Sequence, residues 1–588
     1  MFPNKQISRR ATIITAGMMT AFPILFGRSY YLQHVKGQRY RKMADKNRMN
    51  IRPTQPIRAP ILDRNGQVIA HDIKYFRLSI IKEQCPNPEK TLKKLAKIIK
   101  LSPLRQKRIL KQMKQHKAFT PVTIVKNITF NDLVKVQVNL ADLQGVDLVP
   151  ILLRKYPAGS SIGHLTGYVG VAPKHMVEED WPTDFPTGRR GLEKVHNLKL
   201  RGTPGVTQSE TNAHGREIRK LDNIPQKNEK PFPLTIDLSL QQYIWDKLQN
   251  YTGCATVMDI HTGALHAAVS HPSFNPNQFV EGFNQQSWEE LLNNPSKPLL
   301  GRVFQGTYSP GSTFKLVVAL AALEEGLITP NKKVTCKNHI FFGDRDFHCW
   351  KKHGRINLER AIAESCDIYF YELGKELGIE KMAHYAKIFG LGDISSIGLP
   401  ELAGNIPTPA WKKRKVKEPW TGGDNLITAI GQGYLLNTPL QLTTMTSRLI
   451  SGKMVKPIIT LDEEKRVKYK DLSVNPKHLK FIQNAMIATM HTPRGTAYSS
   501  RPKSFKMGGK TGTVQVISKR LETAADIAAA PKNKRPHGLF VGYAPANKPR
   551  FATCVFLENV GSGGRYAAPI AKKILAKTLA LNKGAGNV

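Results

Sequence analysis

The hydrophobic pattern changes sharply within the first few turns of the chain. Lys5, Arg9 and Arg10 precede Ala11–Gly27, "ATIITAGMMTAFPILFG", a stretch of seventeen residues without a charge. As a helix rising 1.5 Å per residue this stretch covers about 26 Å, just short of the ~30 Å hydrocarbon core of a bilayer. Tyr30 and Tyr31 follow as interfacial anchors. Basic residues before the span place the N-terminus in the cytoplasm and everything after it across the membrane. No small-x-small cleavage site follows Gly27, so residues 11–33 are expected to be an uncleaved signal anchor behind a cytoplasmic tail of 1–10, rather than a removed signal peptide. No later segment is long and apolar enough to span again.

Beyond the anchor the pattern turns amphipathic. "PTQPIRAPILDRNGQVIAHD" sets Asn65-Gly66 between alternating apolar residues and predicts a β-hairpin. "TLKKLAKIIKL" and "RQKRILKQMKQ" carry apolar residues at helical spacing and lysines elsewhere, predicting surface helices with solvated basic faces. "GRRGLEKVHNLKLRGTPG" is glycine-punctuated and loop-rich. Nothing before residue 230 offers a nucleophile with a base, so 34–230 is expected to be a non-catalytic domain.

Near "PFPLTIDLSLQQYIWDKL" a strand-like tetrapeptide runs into a helix, and "GCATVMDIHTGALHAAVS" reads as a hairpin around His261–Gly263. "KTGTVQV", "GLFVGYA" and "RFATCVFLE" predict three strands of one antiparallel sheet, and "APIAKKILAKTLAL" a helix packed on it. Residues 517–536 read as an Ala- and Lys-rich connection, expected to be mobile. Strands and helices mix without a βαβ rhythm, so residues 231–588 are expected to fold as α+β.

Composition adds constraints. A chain of 588 residues with 40% hydrophobic and 22% charged positions can fill sizeable cores. The formal charge of +44 admits nucleic acid, anionic lipid or simply a basic surface. The lysines and arginines are spread over the whole chain, and no zinc-finger spacing, RNA-recognition signature or basic-aromatic platform occurs, so nucleic acid is not expected as a partner. Six cysteines are too few for a disulfide scaffold.

The candidate chemistry starts at "TYSPGSTFKLVVALAAL". Pro310 and Gly311 exclude a helix interior, so Ser312 is expected at a helix start with Lys315 one turn on and on the same face. The unpaired N–H groups and dipole there favour an oxyanion and a neutral lysine base. A serine in that place is equally a plain N-cap, and Ser500 with Lys503 repeats the spacing in a polar loop. Two further motifs decide between the readings. "ESCDIYFYELG" sets Ser365 and Asp367 before an apolar helix, and "KMGGKTGTVQV" sets Lys510, Thr511, Gly512 and Thr513 on a strand. Gly508, Gly509 and Gly512 are expected to clear space for a substrate backbone. Ser-x-x-Lys, Ser-x-Asp and Lys-Thr-Gly, in this order and separated by 53 and 145 residues, are the signature of penicillin-recognising serine acyltransferases.

From anchor to C-terminal helix the chain resembles the class B penicillin-binding proteins, above all their elongation-specific branch. "IRAPILDRNGQVIA" (with Ala59 where glycine is usual), "GRRGLEKVHNLKLRGTPG" and "NAHGREI" are similar to the pedestal motifs of that family. "TAIGQGYLLNTPLQL", "GTA" at 495–497 and "HGLFVGYAP" (with Leu539 where tryptophan is common) are similar to its transpeptidase segments. The resemblance implies a membrane-anchored pedestal and a β-lactamase-like transpeptidase domain without glycosyltransferase. It implies a serine-type D,D-transpeptidase or carboxypeptidase crosslinking peptidoglycan stem peptides outside the inner membrane, open to acylation by β-lactams. By resemblance, Ser312 attacks the donor peptide, Lys315 takes its proton, and Ser365 with Lys510 relays a proton to the leaving amine. The N–H groups of Ser312 and Thr513 form the oxyanion hole, and Lys510, Thr511 and Thr513 hold the substrate carboxylate. A RodA-type polymerase and an MreC-type scaffold are the implied partners. A septal transpeptidase and an inactive scaffold are the alternatives. Asp367 and the cysteine cluster speak against the first, and the intact Ser312, Lys315 and Lys510 against the second.

That cluster is Cys336, Cys349, His353 and Cys366, with intervals of 12, 3 and 12 residues. Three thiols and an imidazole suit tetrahedral zinc, which would pin Ser365 and Asp367 around Cys366. A disulfide leaving one cysteine over, or plain buried thiols, are the other readings. Family members carry zinc in this region, and a structural zinc ion is the expectation. His339 and His348 are near enough in sequence to compete with His353 as ligands. Cys85, Cys254 and Cys554 are expected to fill cores.

Overall fold

The computed structural model describes residues 9–40, 49–171, 181–182, 185–211, 217–395, 397–516 and 524–582. The apolar N-terminal run forms the helix Arg9–Tyr30, continued by a wider turn over Tyr31–Val35. The span Ala11–Val35 has 25 residues, with none of its most apolar window buried against the protein. That length is about 37 Å, enough to cross a bilayer. Phe22 and Phe26 stand more than 70% exposed on it, as expected of a helix whose solvent is lipid.

The first folded unit is organised by one long strand, Val68–Ile80. It turns back through Asn65-Gly66, where Gly66 takes φ +83°, onto the short strand Ile61–Leu62. Its other partners are Val146–Lys155, paired residue for residue from Ile80 to His71, and Val122–Val125. The two Lys-rich helices form as the pattern predicts. Pro88–Ile98 is capped by Asn87 and Pro103–Gln115 by Ser102, each with proline in its first turn. Leu92, Leu95, Ile109 and Met113 face inward into a small core. A separate antiparallel sheet joins Met49–Thr54, Gly205–Thr211 and Glu217–Ile224.

Motifs distant in the sequence meet between these layers. Arg58 and Arg154 both bind the fully buried Glu193, and Arg154 also reaches Asp72 at 3.2 Å. The Asp63 carboxylate accepts from the backbone N–H of Leu238 at 3.1 Å, and Asn277 exchanges hydrogen bonds with the Tyr156 backbone at 2.9 Å. The Asp63 and Asn277 bonds tie the first unit to the second.

The second unit is built on a five-stranded antiparallel sheet. Its order is Leu265–His271, Gly253–Asp259, Phe551–Leu557, His537–Ala544, Gly508–Val514. Every residue of Gly253–Asp259 and Phe551–Leu557 is buried, because helices cover both faces. The hairpin around His261–Gly263 is therefore present without a polar face. On one side lie Leu238–Leu248 and the C-terminal helix Ala568–Leu581, through Leu240, Ile244, Ile574 and Leu575. On the other lie Lys315–Glu324, Pro439–Ser451 and Pro476–His491. Residues 517–523 of the Ala- and Lys-rich connection lie outside the described residues, and the helix Ala524–Ala529 follows them. Cys85, Cys254 and Cys554 are buried in cores.

Candidate active site

Ser312 sits in a single 3-10 turn, Gly311–Thr313, and the α-helix begins at Lys315. The turn depends on two glycines. Gly311 has φ +51°, and its N–H donates to the Gly431 carbonyl at 2.8 Å. Gly431 has φ +76°, and a Cβ there would lie 2.0 Å from the Gly311 carbonyl oxygen. The Thr313 hydroxyl bonds back to Pro310 O at 2.7 Å and closes the turn. Ser312 is half-buried, and among the described residues its hydroxyl has no hydrogen-bond partner.

Lys315 is fully buried, and its Nζ is hydrogen-bonded to the second motif. Nζ donates to Asp367 Oδ1 at 2.7 Å, to the Ser365 carbonyl at 3.1 Å and to Ser365 Oγ at 3.3 Å. The shared face expected for positions 312 and 315 is compatible with the 3-10 turn, in which side chains three positions apart eclipse.

Asp367 opens the helix Asp367–Ile388, where the helix dipole favours a carboxylate. Ser365, in the turn before it, has φ +57°, a left-handed conformation rare outside glycine. The strained turn is held from outside: Trp350 Nε1 donates to the carbonyls of Glu364 at 3.1 Å and Ser365 at 3.2 Å.

The third motif lies on the sheet's edge strand, Gly508–Val514, next to the Ser312 turn. A Cβ on Gly311 would lie 3.3 Å from the Thr513 carbonyl oxygen. Lys510 is fully buried and Thr513 exposed. Burial pushes the Lys510 amine well below the ordinary lysine value, the nearby charge of Lys315 adds to that, and Asp367 opposes it. The Thr511 hydroxyl is paired with that of Thr496 at 2.7 Å, so the "GTA" segment orients the threonine. The glycines of this strand clear space for the protein itself. Cβ atoms on Gly508 and Gly509 would enter the rings of Tyr543 and Phe540, at 2.3 and 2.1 Å. Leu539 packs over Gly512, 3.2 Å from where its Cβ would be.

Residues 253–576 match the penicillin binding protein transpeptidase domain, and residues 53–232 the penicillin-binding protein dimerisation domain. Peptidoglycan D,D-transpeptidase MrdA of Haemophilus influenzae is 32% identical, over 97% of this chain and 91% of its own length. This chain belongs to the penicillin-binding protein 2 group. Among solved structures, penicillin-binding protein 2 of Helicobacter pylori in complex with MreC aligns with TM-score 0.80 at 29% identity, covering 91% of this chain and 99% of that one. A chain from a peptidoglycan synthase complex that coordinates polymerization and crosslinking aligns with TM-score 0.73 at 26% identity, covering 99% and 100%.

Beside the Ser365–Asp367 turn, Cys336, Cys349, His353 and Cys366 converge, all buried, with their ligand atoms within 4.8 Å of one another. All four groups come from strand ends and turns that also carry the second motif. His353 Nδ1 stands 3.5 Å from Cys336 Sγ and 3.4 Å from Cys349 Sγ. Its Nε2 faces the Glu364 carbonyl at 3.2 Å, which fixes the ring and directs Nδ1 at the thiols. The three cysteines are free thiols, so the disulfide reading has no counterpart here. Hydrogen bonding from the Cys366 thiol, reinforced by His353, lowers Cys336 to about 6 and Cys349 further still, while Cys366 itself is pushed up. The Asp367 backbone N–H donates to Cys349 Sγ at 3.2 Å. The cluster is thus joined to the catalytic motif by a hydrogen bond as well as by the chain.

Three contributors lay beyond motif reasoning. Trp350 supports Ser365, Gly431 supports Gly311, and a buried network of Arg302, Glu558 and Tyr308 underlies the nucleophile loop, with Tyr308 Oη to Glu558 at 2.8 Å. "TAIGQG" and Trp350 are visible in the sequence, but no local spacing connects them to positions 311 and 365.

Proposed function

We propose that this protein is a membrane-anchored peptidoglycan D,D-transpeptidase that crosslinks stem peptides during cell-wall elongation, with Ser312 as nucleophile. The observation that supports this is that Lys315 Nζ bonds Ser365 and Asp367 while the Lys510–Thr513 edge strand runs against the Ser312 turn. Ser312 Oγ attacks the carbonyl carbon of the penultimate D-alanine, and its proton passes to Lys315, which acts in its neutral amine form. The N–H groups of Ser312 and Thr513 receive the developing oxyanion, an effect worth about 3–4 kcal/mol per donor. The C–N bond breaks, and the leaving D-alanine amine takes a proton relayed through Ser365, with Lys510 assisting. Thr511 and Thr513 beside Lys510 hold the terminal carboxylate. An amine of a second stem peptide then attacks the ester, forming the crosslink and returning Ser312 to its hydroxyl; water in its place gives carboxypeptidase action. β-Lactams acylate the same oxygen.

The Cys3His cluster fits a structural zinc ion in ligand type, spacing and burial. When bound, the ion supplies rigidity: Cys366 sits between Ser365 and Asp367, so fixing its thiolate fixes both. The basic residues before the N-terminal helix favour an inner-membrane orientation with the folded units in the periplasm. A RodA-type polymerase and an MreC-type scaffold are the partners this reading takes from the relatives.

The test is labelling of detergent-solubilised full-length protein with a fluorescent penicillin, followed by mass spectrometry of the modified peptide. Label on Ser312, and its loss in Ser312→Ala, is the expected result. Equal labelling of the variant overturns the assignment.

A further inference from the structure

We propose that the outer face of the hairpin preceding Cys349 is a second, water-facing site for a divalent transition-metal ion, formed by His339, Asp346 and His348. The hairpin pairs His339–Phe342 with Arg345–His348 in antiparallel register, so His339 lies directly opposite His348 and Phe341 opposite Asp346. Side chains alternate across a strand. Ile340, Phe342 and Phe347 therefore face the core, and His339, Phe341, Asp346 and His348 all face out. One ligand atom from each of His339, Asp346 and His348 lies within 4.8 Å of the others. His348 Nε2 is 3.3 Å from Asp346 Oδ2, and the two imidazoles stand 6.1 Å apart at 85°.

Two imidazoles and a carboxylate suit zinc, cobalt or nickel; magnesium and calcium favour all-oxygen sets. The scaffold is rigid enough to hold such a set. The hairpin base is closed by the Cys349 N–H on the Asn338 carbonyl at 2.6 Å. Tyr371 Oη donates to the His348 carbonyl at 3.3 Å, and the Phe347 ring packs edge-on against Tyr371. With three protein ligands on a water-facing surface, water completes the coordination and the ion exchanges with solvent. The buried thiol cluster is the opposite case, closed and dominated by sulfur.

Cobalt(II) separates the two sites, because only the buried cluster can give a thiolate-to-metal charge-transfer band. Metal-free full-length protein, titrated with cobalt, is expected to bind one ion with that band and a second without it. His339→Ala/His348→Ala should weaken the second ion at least about 100-fold, and Asp346→Asn about tenfold. Both variants should keep the thiolate band, the thermal midpoint and penicillin labelling. Wild-type protein without the thiolate-free cobalt, or a double variant that binds it unchanged, overturns the proposal. Loss of the thiolate band alone counts against zinc in the buried cluster and leaves this site standing.

Discussion

Ser365 shows what the second motif costs locally. A non-glycine residue in the left-handed region is strained by about 1–2 kcal/mol, and here it persists because donors converge on its carbonyl. One donor is the Lys315 ammonium and the other the indole of Trp350, itself half exposed and outside the cores. Trp350→Phe keeps the ring and removes one hydrogen bond of about 1 kcal/mol, so acylation by penicillin should slow roughly fivefold with little change in thermal midpoint. Stopped-flow labelling checks this; an unchanged rate would mean Lys315 alone holds the turn. Lys510 makes the complementary case. Its folded-state affinity for a proton is depressed by burial and by Lys315, so over that pH range the unfolded chain binds more protons. Stability therefore rises with pH between the folded and the unfolded lysine values. Lys510→Met should raise the melting temperature by roughly 2 °C or more while abolishing penicillin labelling, a trade of stability against function.

At the scale of elements, the nucleophile turn stands on a second loop rather than on its own helix. Gly431 touches Gly311 backbone to backbone, whereas a Cβ on Gly433 would meet only Ile427 Cγ2 at 3.1 Å. Both residues have positive φ. Gly431→Ala should displace the Ser312 turn and lose most penicillin labelling, and Gly433→Ala should cost mainly the ~1 kcal/mol of backbone strain. Labelling rates beside thermal melts of the two variants separate these outcomes. The same comparison marks how far the sequence could be read. The sheet strands, the Lys-rich helices and the C-terminal helix were legible because apolar spacing and capping residues are local signals. The order of the three motifs carried the identity of the site for the same reason. The hydrogen-bond partners of Lys315 were not legible from local spacing, because they lie 50 and 52 positions away. The glycines of Gly508–Val514 misled for a related reason: what fills their space belongs to the neighbouring strand, which no local pattern names.

For the whole molecule, the first folded unit, which meets the second through Asp63 and Tyr156, depends on a buried charge cluster. Glu193 carries two arginines, Arg58 and Arg154, and all three are almost fully inaccessible. Burial alone would raise the Glu193 carboxyl, but Arg154 and Arg58 more than reverse that and leave it below its ordinary value of 4.5. A carboxylate with a depressed folded-state value contributes stability that is fully present above the unfolded value and lost as pH falls through the folded one. Asp72 in the same cluster is pushed the other way, by burial that Arg154 does not fully offset, so total stability against pH mixes both signs. The difference between wild type and Glu193→Gln isolates one of them. Glutamine keeps the shape and removes the charge, leaving two buried guanidinium groups short of a partner, so the variant should lose about 3 kcal/mol or more at neutral pH. That difference should hold steady above pH 4.5 and shrink as pH falls below it. Because every member of this cluster lies in the 49–233 unit, the loss should appear as earlier melting of that unit while Ser312 still takes penicillin. Urea unfolding of both proteins across pH, with labelling recorded at each point, reads the two quantities together. A difference that stays flat to low pH would mean that Glu193 serves the first unit through hydrogen bonding alone.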